Sequence, residues 1–292
     1  MDELVKMKRF GRFCAIASLI FAVPTASLIS PVAAQISNNS VENQTTISIQ
    51  PPKNGNVYVV AHRGAHKGIP ENSLPAYEKA IELGCDFVEV DIRTTKDIQL
   101  VSIHNDEIDA YVNAATGKVK DKSLQELRAL DIGEKFAENW RGTRIPTFEE
   151  ILMLCKNRIG IYLDVKDAEI PALLQLIQKY EMENQVLWYL PFSRHSQIKK
   201  LQRLCSACLI MPDPGPAENL SELIELLHPP LIATYCDVIS KNFIKLAHTN
   251  KALVIADEDG PESWEKAIDL GVDGIQTDHP EKLIALVKSR KN

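Results

Sequence analysis

Short apolar runs recur along the chain from Val57 onward, separated by amphipathic stretches. The runs read VYVVA (57–61), FVEVD (87–91), IGIYLDV (159–165), VLWYL (186–190), CLIMP (208–212), LIATY (231–235), LVIAD (253–257) and GIQTD (274–278). Such near-continuous apolarity is what strands buried on both faces require, and it points to a parallel sheet. Between them, LPAYEKAIELG (74–84), IPALLQLIQKY (170–180), NLSELIELL (219–227) and PESWEKAIDLG (261–271) carry apolar residues at three- and four-residue spacing. That spacing predicts crossover helices, and eight strands alternating with helices predict an α/β fold, a closed (β/α)8 TIM barrel over 57–288. The similar pair LPAYEKAIELGCDFVEVD and SWEKAIDLGVDGIQTD, each a helix, a Gly, an Asp and a strand in that order, fits repeated βα units.

One stretch departs from the pattern. Asp86 to Asn105 reads DFVEVDIRTTKDIQLVSIHN, two alternating runs joined by a polar segment, which predicts a hairpin. QLVSIH (99–104) is therefore a hairpin partner of the second run, because a parallel crossover cannot be made in so few residues. A turn centred between Lys96 and Asp97 sets Glu89 opposite His104 and Asp91 opposite Ser102, placing two carboxylates and an imidazole on one face. Two anions on an otherwise apolar strand carry a desolvation cost of several kcal/mol unless a cation or metal accompanies them. From Asn105 to Arg158 runs a mixed-polarity excursion too long for an ordinary loop; it predicts a small insertion, about 105–158, over the barrel mouth.

The N-terminus adds a different signal. Lys6, Lys8, Arg9 and Arg12 precede the apolar run Phe13 to Val23, and Val32-Ala33-Ala34 precedes Gln35. This reads as a signal peptide over 1–34 cleaved after Ala34, with an uncleaved membrane anchor as the alternative because Phe13 to Ala34 carries no charge. The barrel is thus expected outside the cytoplasm, periplasmic or extracellular, with membrane association only through this segment. Gln35 to Asn56, rich in Ser, Asn, Thr, Gln and Pro, reads as a flexible tether. Residues 1–34 hold four basic and two acidic side chains, so their removal takes the formal net charge from −6 to −8, against a nucleic-acid partner. Five cysteines remain, scattered through apolar runs. They read as structural rather than as a disulfide scaffold, the Cys205-Ser206-Ala207-Cys208 spacing having no matching second pair.

Polar residues collect at the carboxyl ends of the runs, the end where a (β/α)8 barrel keeps its active site: His62 and Arg63, Glu89 and Asp91, Asp164 and Lys166. Taken singly, each could be a surface or structural residue; their coincidence at one end is what points to function. Glu89, Asp91 and Asp164 offer oxygen ligands without a thiolate, suited to a hard divalent cation, Mg²⁺ or Ca²⁺. His62 and His104 remain for proton transfer, and Arg63 and Lys166 complement an anionic substrate. Together these residues describe metal-assisted phosphoryl chemistry on a small molecule.

With those residues in place, the chain resembles the glycerophosphodiester phosphodiesterases. The resemblance rests on His62-Arg63-Gly64, Pro70-Glu71-Asn72-Ser73, Glu89-Val90-Asp91, Thr95-Lys96-Asp97, His104, Ile145-Pro146-Thr147-Phe148-Glu149-Glu150 and Gly271 to Pro280, over about Val57 to Val287. It implies a (β/α)8 domain with an insertion after the second histidine. It also implies Glu89, Asp91 and Asp164 as metal ligands, His62 and His104 as acid and base in an order left open, and Arg63 and Lys166 around the phosphate. The implied reaction cleaves a glycerophosphodiester to glycerol phosphate and an alcohol, with either water or a glycerol hydroxyl attacking first. Four positions depart from the family's pattern: Asp164 stands where Glu is usual, Asn105 where Asp is common, Ile98 where a turn Gly is usual, and LVIADEDG (253–260) lacks a common Trp. The alternative these departures leave open is a barrel of the same fold, weakened in catalysis, that binds phosphate or a lipid headgroup.

Overall fold

The computed structural model describes residues 49–290, positions 114 and 259 excepted; the segment 1–34 and most of the expected tether lie outside the described residues. The chain builds β1 (Tyr58–Ala61), α1 (Leu74–Leu83), β2 (Phe87–Thr94) and β3 (Leu100–Ser102), then α2 (Leu124–Ala129), α3 (Phe148–Cys155) and β4 (Gly160–Val165). It continues through α4 (Ile170–Lys179), β5 (Val186–Pro191), α5 (His195–Leu204), β6 (Leu209–Asp213), α6 (Leu220–Leu227) and β7 (Leu231–Tyr235). Last come α7 (Lys241–Thr249), β8 (Leu253–Asp257), α8 (Trp264–Leu270), β9 (Gly274–Thr277) and α9 (Pro280–Ser289). Eight parallel strands stand in the order β6-β5-β4-β2-β1-β9-β8-β7, with β3 antiparallel on β2. The eight apolar runs and four amphipathic stretches of the sequence all appear as strands and helices of a (β/α)8 barrel.

Closure is nearly complete. β6 and β7 are neighbours, yet no ladder pairing joins them among the described residues. Pro212 in β6 has no N–H to give, which suits the free side of that strand.

The period of two along each strand divides its side chains between two cores. Val59, Ala61, Val88, Val90, Leu163 and Ile275 point outward and are sealed by the helices. Tyr58, Val60, Phe87, Tyr162, Leu187, Met211 and Ile255 fill the lumen. Size is matched there: a Cβ on Gly160 would lie 2.3 Å from the Phe87 ring, so the glycine leaves the room the ring occupies. Carried two residues further along, the lumen-facing rows turn polar and become the site.

Four details differ from the sequence expectation. The hairpin pairs Ile92 with Ser102 and Thr94 with Leu100, one residue off the expected register. Its turn is longer than assumed, with Thr95 N donating to Gln99 O and Ile98 in the left-handed region at φ 63°, the geometry a turn glycine would supply. The insertion ends sooner than 158: α3 packs Phe148, Ile151, Leu152 and Cys155 into the main core, so it is a barrel helix. What precedes it holds its own small core of Val101, Ile103, Ile108, Val119, Leu127 and Ile145. Arg128 clamps this insertion to α3 through both Glu150 carboxylate oxygens at 2.9 Å. Finally, Cys205 and Cys208 are joined in a disulfide between the end of α5 and the start of β6, whereas Cys85, Cys155 and Cys236 are buried thiols. The end of the expected tether is docked, with Lys53 N on Asp86 Oδ1 and Asn54 Nδ2 on Gly84 O, because the floor offers it unpaired acceptors.

Candidate active site

All seven residues singled out in the sequence line one cavity of about 500 Å³ at the carboxyl end of the strands: His62, Arg63, Glu89, Asp91, His104, Asp164 and Lys166. His62 and Arg63 follow β1; Gly64, at φ 83°, lets the chain pass against α1, where a Cβ would meet the Ala76 backbone at 2.8 Å. Arg63 itself sits at φ 53° and donates its backbone N–H to Glu89 Oε2 at 2.7 Å. Its guanidinium reaches Glu71 at 3.0 Å and comes within 3.8 Å of Asp91.

Glu89, Asp91 and Asp164 bring carboxylate oxygens within 4.8 Å of one another. Register explains it: Asp91 pairs with Asp164 across β2 and β4, and Glu89 lies one lumen-facing step lower. Lys166 Nζ donates to Asp164 Oδ2 at 2.6 Å. It also stands 2.9 Å from Asp91 Oδ1, but off-line, so that buried oxygen has no hydrogen-bond donor among the described residues. Asp91 Oδ2 is held by Asn72 Nδ2 at 2.7 Å. Burial, then the charges of Asp91 and Asp164, push Glu89 well above the ordinary Glu value. Burial would raise Asp91 too, yet Lys166 outweighs it and holds Asp91 below the usual range. At Asp164 burial wins over the same lysine and the carboxyl is raised. Three crowded oxygen acids, two of them sharing a single lysine and one driven toward protonation, fit a hard divalent cation.

The two imidazoles are anchored through Nδ1: His62 to Asp278 Oδ1 at 2.7 Å, His104 to Asn105 Oδ1 at 2.8 Å. Each ring therefore keeps Nε2 for the cavity. Asn105 supplies the acceptor with a neutral amide where the resembled family commonly has Asp. Hydrogen bonding by His62 leads the causes that hold Asp278 far below the usual carboxylate range, with Lys67 adding a contact at 3.0 Å. His104 reaches the cavity although it does not pair with Glu89: β3 ends at Ser102, and Arg93 Nε and Nη2 grip the His104 carbonyl at 2.9 and 2.7 Å.

Several lining residues were not foreseen: Tyr162, Tyr189, Tyr235, Asp257, Gln276 and Asp278. Their signal was present, since each lies on the lumen-facing alternate positions of an apolar run or its extension. Asn72 belongs to the Pro70-Glu71-Asn72-Ser73 motif. Buried to 1% exposure at φ 50°, it holds Asp91 and accepts on Oδ1 from the Tyr77 hydroxyl at 2.9 Å and the Ser102 hydroxyl at 2.8 Å.

Residues 62–200 match the glycerophosphoryl diester phosphodiesterase family. A glycerophosphodiester phosphodiesterase from Caldanaerobacter subterraneus subsp. tengcongensis is 32% identical over 246 residues, covering 79% of this chain and 97% of the relative. Among solved structures, a glycerophosphodiester phosphodiesterase from Agrobacterium tumefaciens superposes with TM-score 0.70 at 24% identity, over 78% of this chain and 99% of that one. An Oleispira antarctica phosphodiesterase in complex with the product sn-glycerol-3-phosphate gives TM-score 0.72 at 20% identity, over 79% and 96%. The fold agrees with both structures, and by its identity to a relative covered almost end to end the chain belongs to the glycerophosphodiester phosphodiesterase family.

Proposed function

We propose that this protein is a divalent-metal-dependent hydrolase that cleaves glycerophosphodiesters to glycerol phosphate and an alcohol. The observation that carries the reading is the convergence of three oxygen acids, two anchored imidazoles and two cations on one cavity. Glu89, Asp91 and Asp164 would hold the cation, Mg²⁺ or Ca²⁺, which when bound polarises a phosphoryl oxygen. Arg63 and Lys166 neutralise the remaining phosphate charge. One of His62 and His104 removes the proton of the attacking water, or of a glycerol hydroxyl in a first step whose cyclic phosphate water then opens, as a new P–O bond forms. The other delivers a proton to the departing alcohol oxygen as the old P–O bond breaks. The Asp278 carboxylate behind His62 stabilises the imidazolium that forms in either role.

Hydrolysis of a simple glycerophosphodiester by the purified protein, with added Mg²⁺ or Ca²⁺ and after exhaustive chelation, tests the reading. Release of glycerol phosphate that stops on chelation is expected. Full activity without metal removes the metal assignment. Binding of glycerol phosphate with no turnover under any metal would leave the weakened binding barrel in its place. Export belongs to the same proposal: N-terminal sequencing of secreted or periplasmic protein should begin at Gln35, and intact Met1 to Ala34 in a membrane fraction would favour the anchor instead.

A further inference from the structure

Strand β9 ends at Thr277, and the next residue, Asp278, carries the carboxylate that anchors His62. The β8–β9 ladder stops just short of it: Glu258 N–H donates to Gln276 O at 3.2 Å, and β8 then leaves the sheet. On the other flank His62 N–H donates to Thr277 O at 3.0 Å. The Asp278 N–H lies beyond the ladder and needs an acceptor from elsewhere. Glu258 supplies it from its side chain, Oε1 taking the Asp278 N–H at 2.9 Å in a charge-assisted bond. The other oxygen, Oε2, accepts from Trp264 Nε1. Trp264 opens α8 and is buried in the main core, so a single carboxylate brackets the Asp278 turn to a fixed ring.

The groups that touch the Asp278 carboxylate cannot do the same. His62 Nδ1 reaches Oδ1 at 2.7 Å, Lys67 Nζ reaches Oδ2 at 3.0 Å, and His66 Nε2 stands 3.6 Å from Oδ1. All three come from the loop between β1 and α1, where His66 Nδ1 also donates to the His62 carbonyl at 2.8 Å. They orient the carboxylate relative to that loop, whereas the main chain that carries it is set from the β8 side, by Glu258. Glu258 lines the cavity, yet both its oxygens are engaged within the protein, which leaves neither for substrate. A brace for α8 alone would need only the Trp264 contact; the second contact goes to the residue that holds His62.

We infer that Glu258 is a positioning residue for the reaction, fixing Asp278 and, through Asp278, the ring of His62. The inference rests on the phosphodiesterase reading and adds a residue that acts without touching substrate. A misplacement of about 1 Å at a reacting group can lower a rate about a hundredfold. Loosening the Asp278 turn, with its carboxylate still present, should therefore lower kcat and leave substrate binding nearly unchanged.

The test is a double-mutant cycle on the full chain, with glycerophosphocholine as substrate and added Mg²⁺ or Ca²⁺. Glu258→Ala should lower kcat about tenfold with KM within about threefold of wild type. Glu258→Gln, which keeps one carbonyl oxygen for the Asp278 N–H, should recover part of that loss. In an Asp278→Ala background the same Glu258→Ala change should lower kcat by less than about twofold, because the group it acts through is gone. Trp264→Phe, which keeps a ring in the core and drops only the indole N–H, should stay within about threefold of wild type. If Glu258→Ala does not fold, Glu258→Gln carries the cycle. Equal fold-losses in the two backgrounds, or a raised KM with kcat retained, would overturn the inference and leave the hydrolase reading intact. Absence of turnover by wild type on every glycerophosphodiester would remove both.

Discussion

Asn72→Ala is the substitution whose cost the structure lets one count. Asn72 Nδ2 donates to the Asp91 carboxylate at 2.7 Å, a charge-assisted bond contributing about 1.5–3 kcal/mol. Its Oδ1 accepts from Tyr77 and Ser102. Those two hydroxyls also lie 2.7 Å apart, so after truncation they bond each other and one proton is left over, a loss of about 1 kcal/mol. Asp91 N–H, donating to Oδ1 at 3.3 Å, loses its acceptor for roughly another 1 kcal/mol. Alanine must also adopt φ 50°, where an L side chain without a local hydrogen bond costs about 1–2 kcal/mol. The expected destabilisation is about 5 kcal/mol, a third or more of a typical domain's stability. Equilibrium urea unfolding of metal-free protein measures it, with Tyr77→Phe, expected near 1 kcal/mol, as calibration. A second readout is metal affinity in folded variant protein, expected to fall because Asp91 is no longer held. A loss below about 1.5 kcal/mol with unchanged metal affinity would refute the account of Asn72 as the residue that positions Asp91.

The remaining expectations concern the site itself. His62→Ala and His104→Ala should each reduce kcat by about two to four orders of magnitude with unfolding midpoints close to wild type, and near-native turnover in either would remove that histidine from the mechanism. Asp164→Ala should lose metal binding by calorimetric titration, whereas Asp164→Glu, about 1.5 Å longer in reach, should stay active and change the ratio of Mg²⁺- to Ca²⁺-supported rates; wild-type metal affinity in Asp164→Ala would show that this acid is no ligand. Burial pushes Asp257 up to about 7, so it contributes stability that is fully present below about pH 4 and is lost as the pH rises through that value. Asp257→Asn, which cannot ionise, should therefore gain on wild type between pH 4 and 7.5 in chelator-treated samples, and a constant difference across that range would show an ordinary carboxyl.

Period and spacing made the barrel legible because lumen and helix-facing positions must both be apolar in a doubly covered strand, and only the mouth is exempt. Thus His62, Glu89, Asp91 and Asp164 stood out as polar interruptions at one end. Pairing arithmetic was less secure: it hung on a turn whose left-handed Ile98 adds a residue, and the slip moved Glu89 away from His104 by one position. His104 still arrives because the chain leaves the ladder at Ser102 and is steered by Arg93, a contact no local pattern announces. Asp278 and Asp257 were legible in principle as lumen-facing positions of the last two runs. Without the fold closing β9 against β1, nothing in the sequence says that Asp278 stands behind His62, 216 residues away. The Cys205–Cys208 bridge shows the opposite limit, since spacing alone does not choose between two packed thiols and a crosslink.

The unpaired seam between β6 and β7 gives the barrel the mechanics of a split ring rather than a hoop. A hoop can widen only by stretching every ladder at once, whereas a split ring widens at its gap while the strands opposite, β1, β2 and β9, act as the rigid spine. His62, Glu89 and Asp91 are carried by that spine and His104 by the β3 hairpin on it, whereas Asp164, Tyr189 and Asp213 belong to one free arm and Tyr235 and Asp257 to the other. The four residues on the spine and its hairpin thus keep their alignment while the two arms flex about them. Amide exchange should be fastest along the two lips of the gap, and equal protection around the whole circumference would mean the ring is effectively closed.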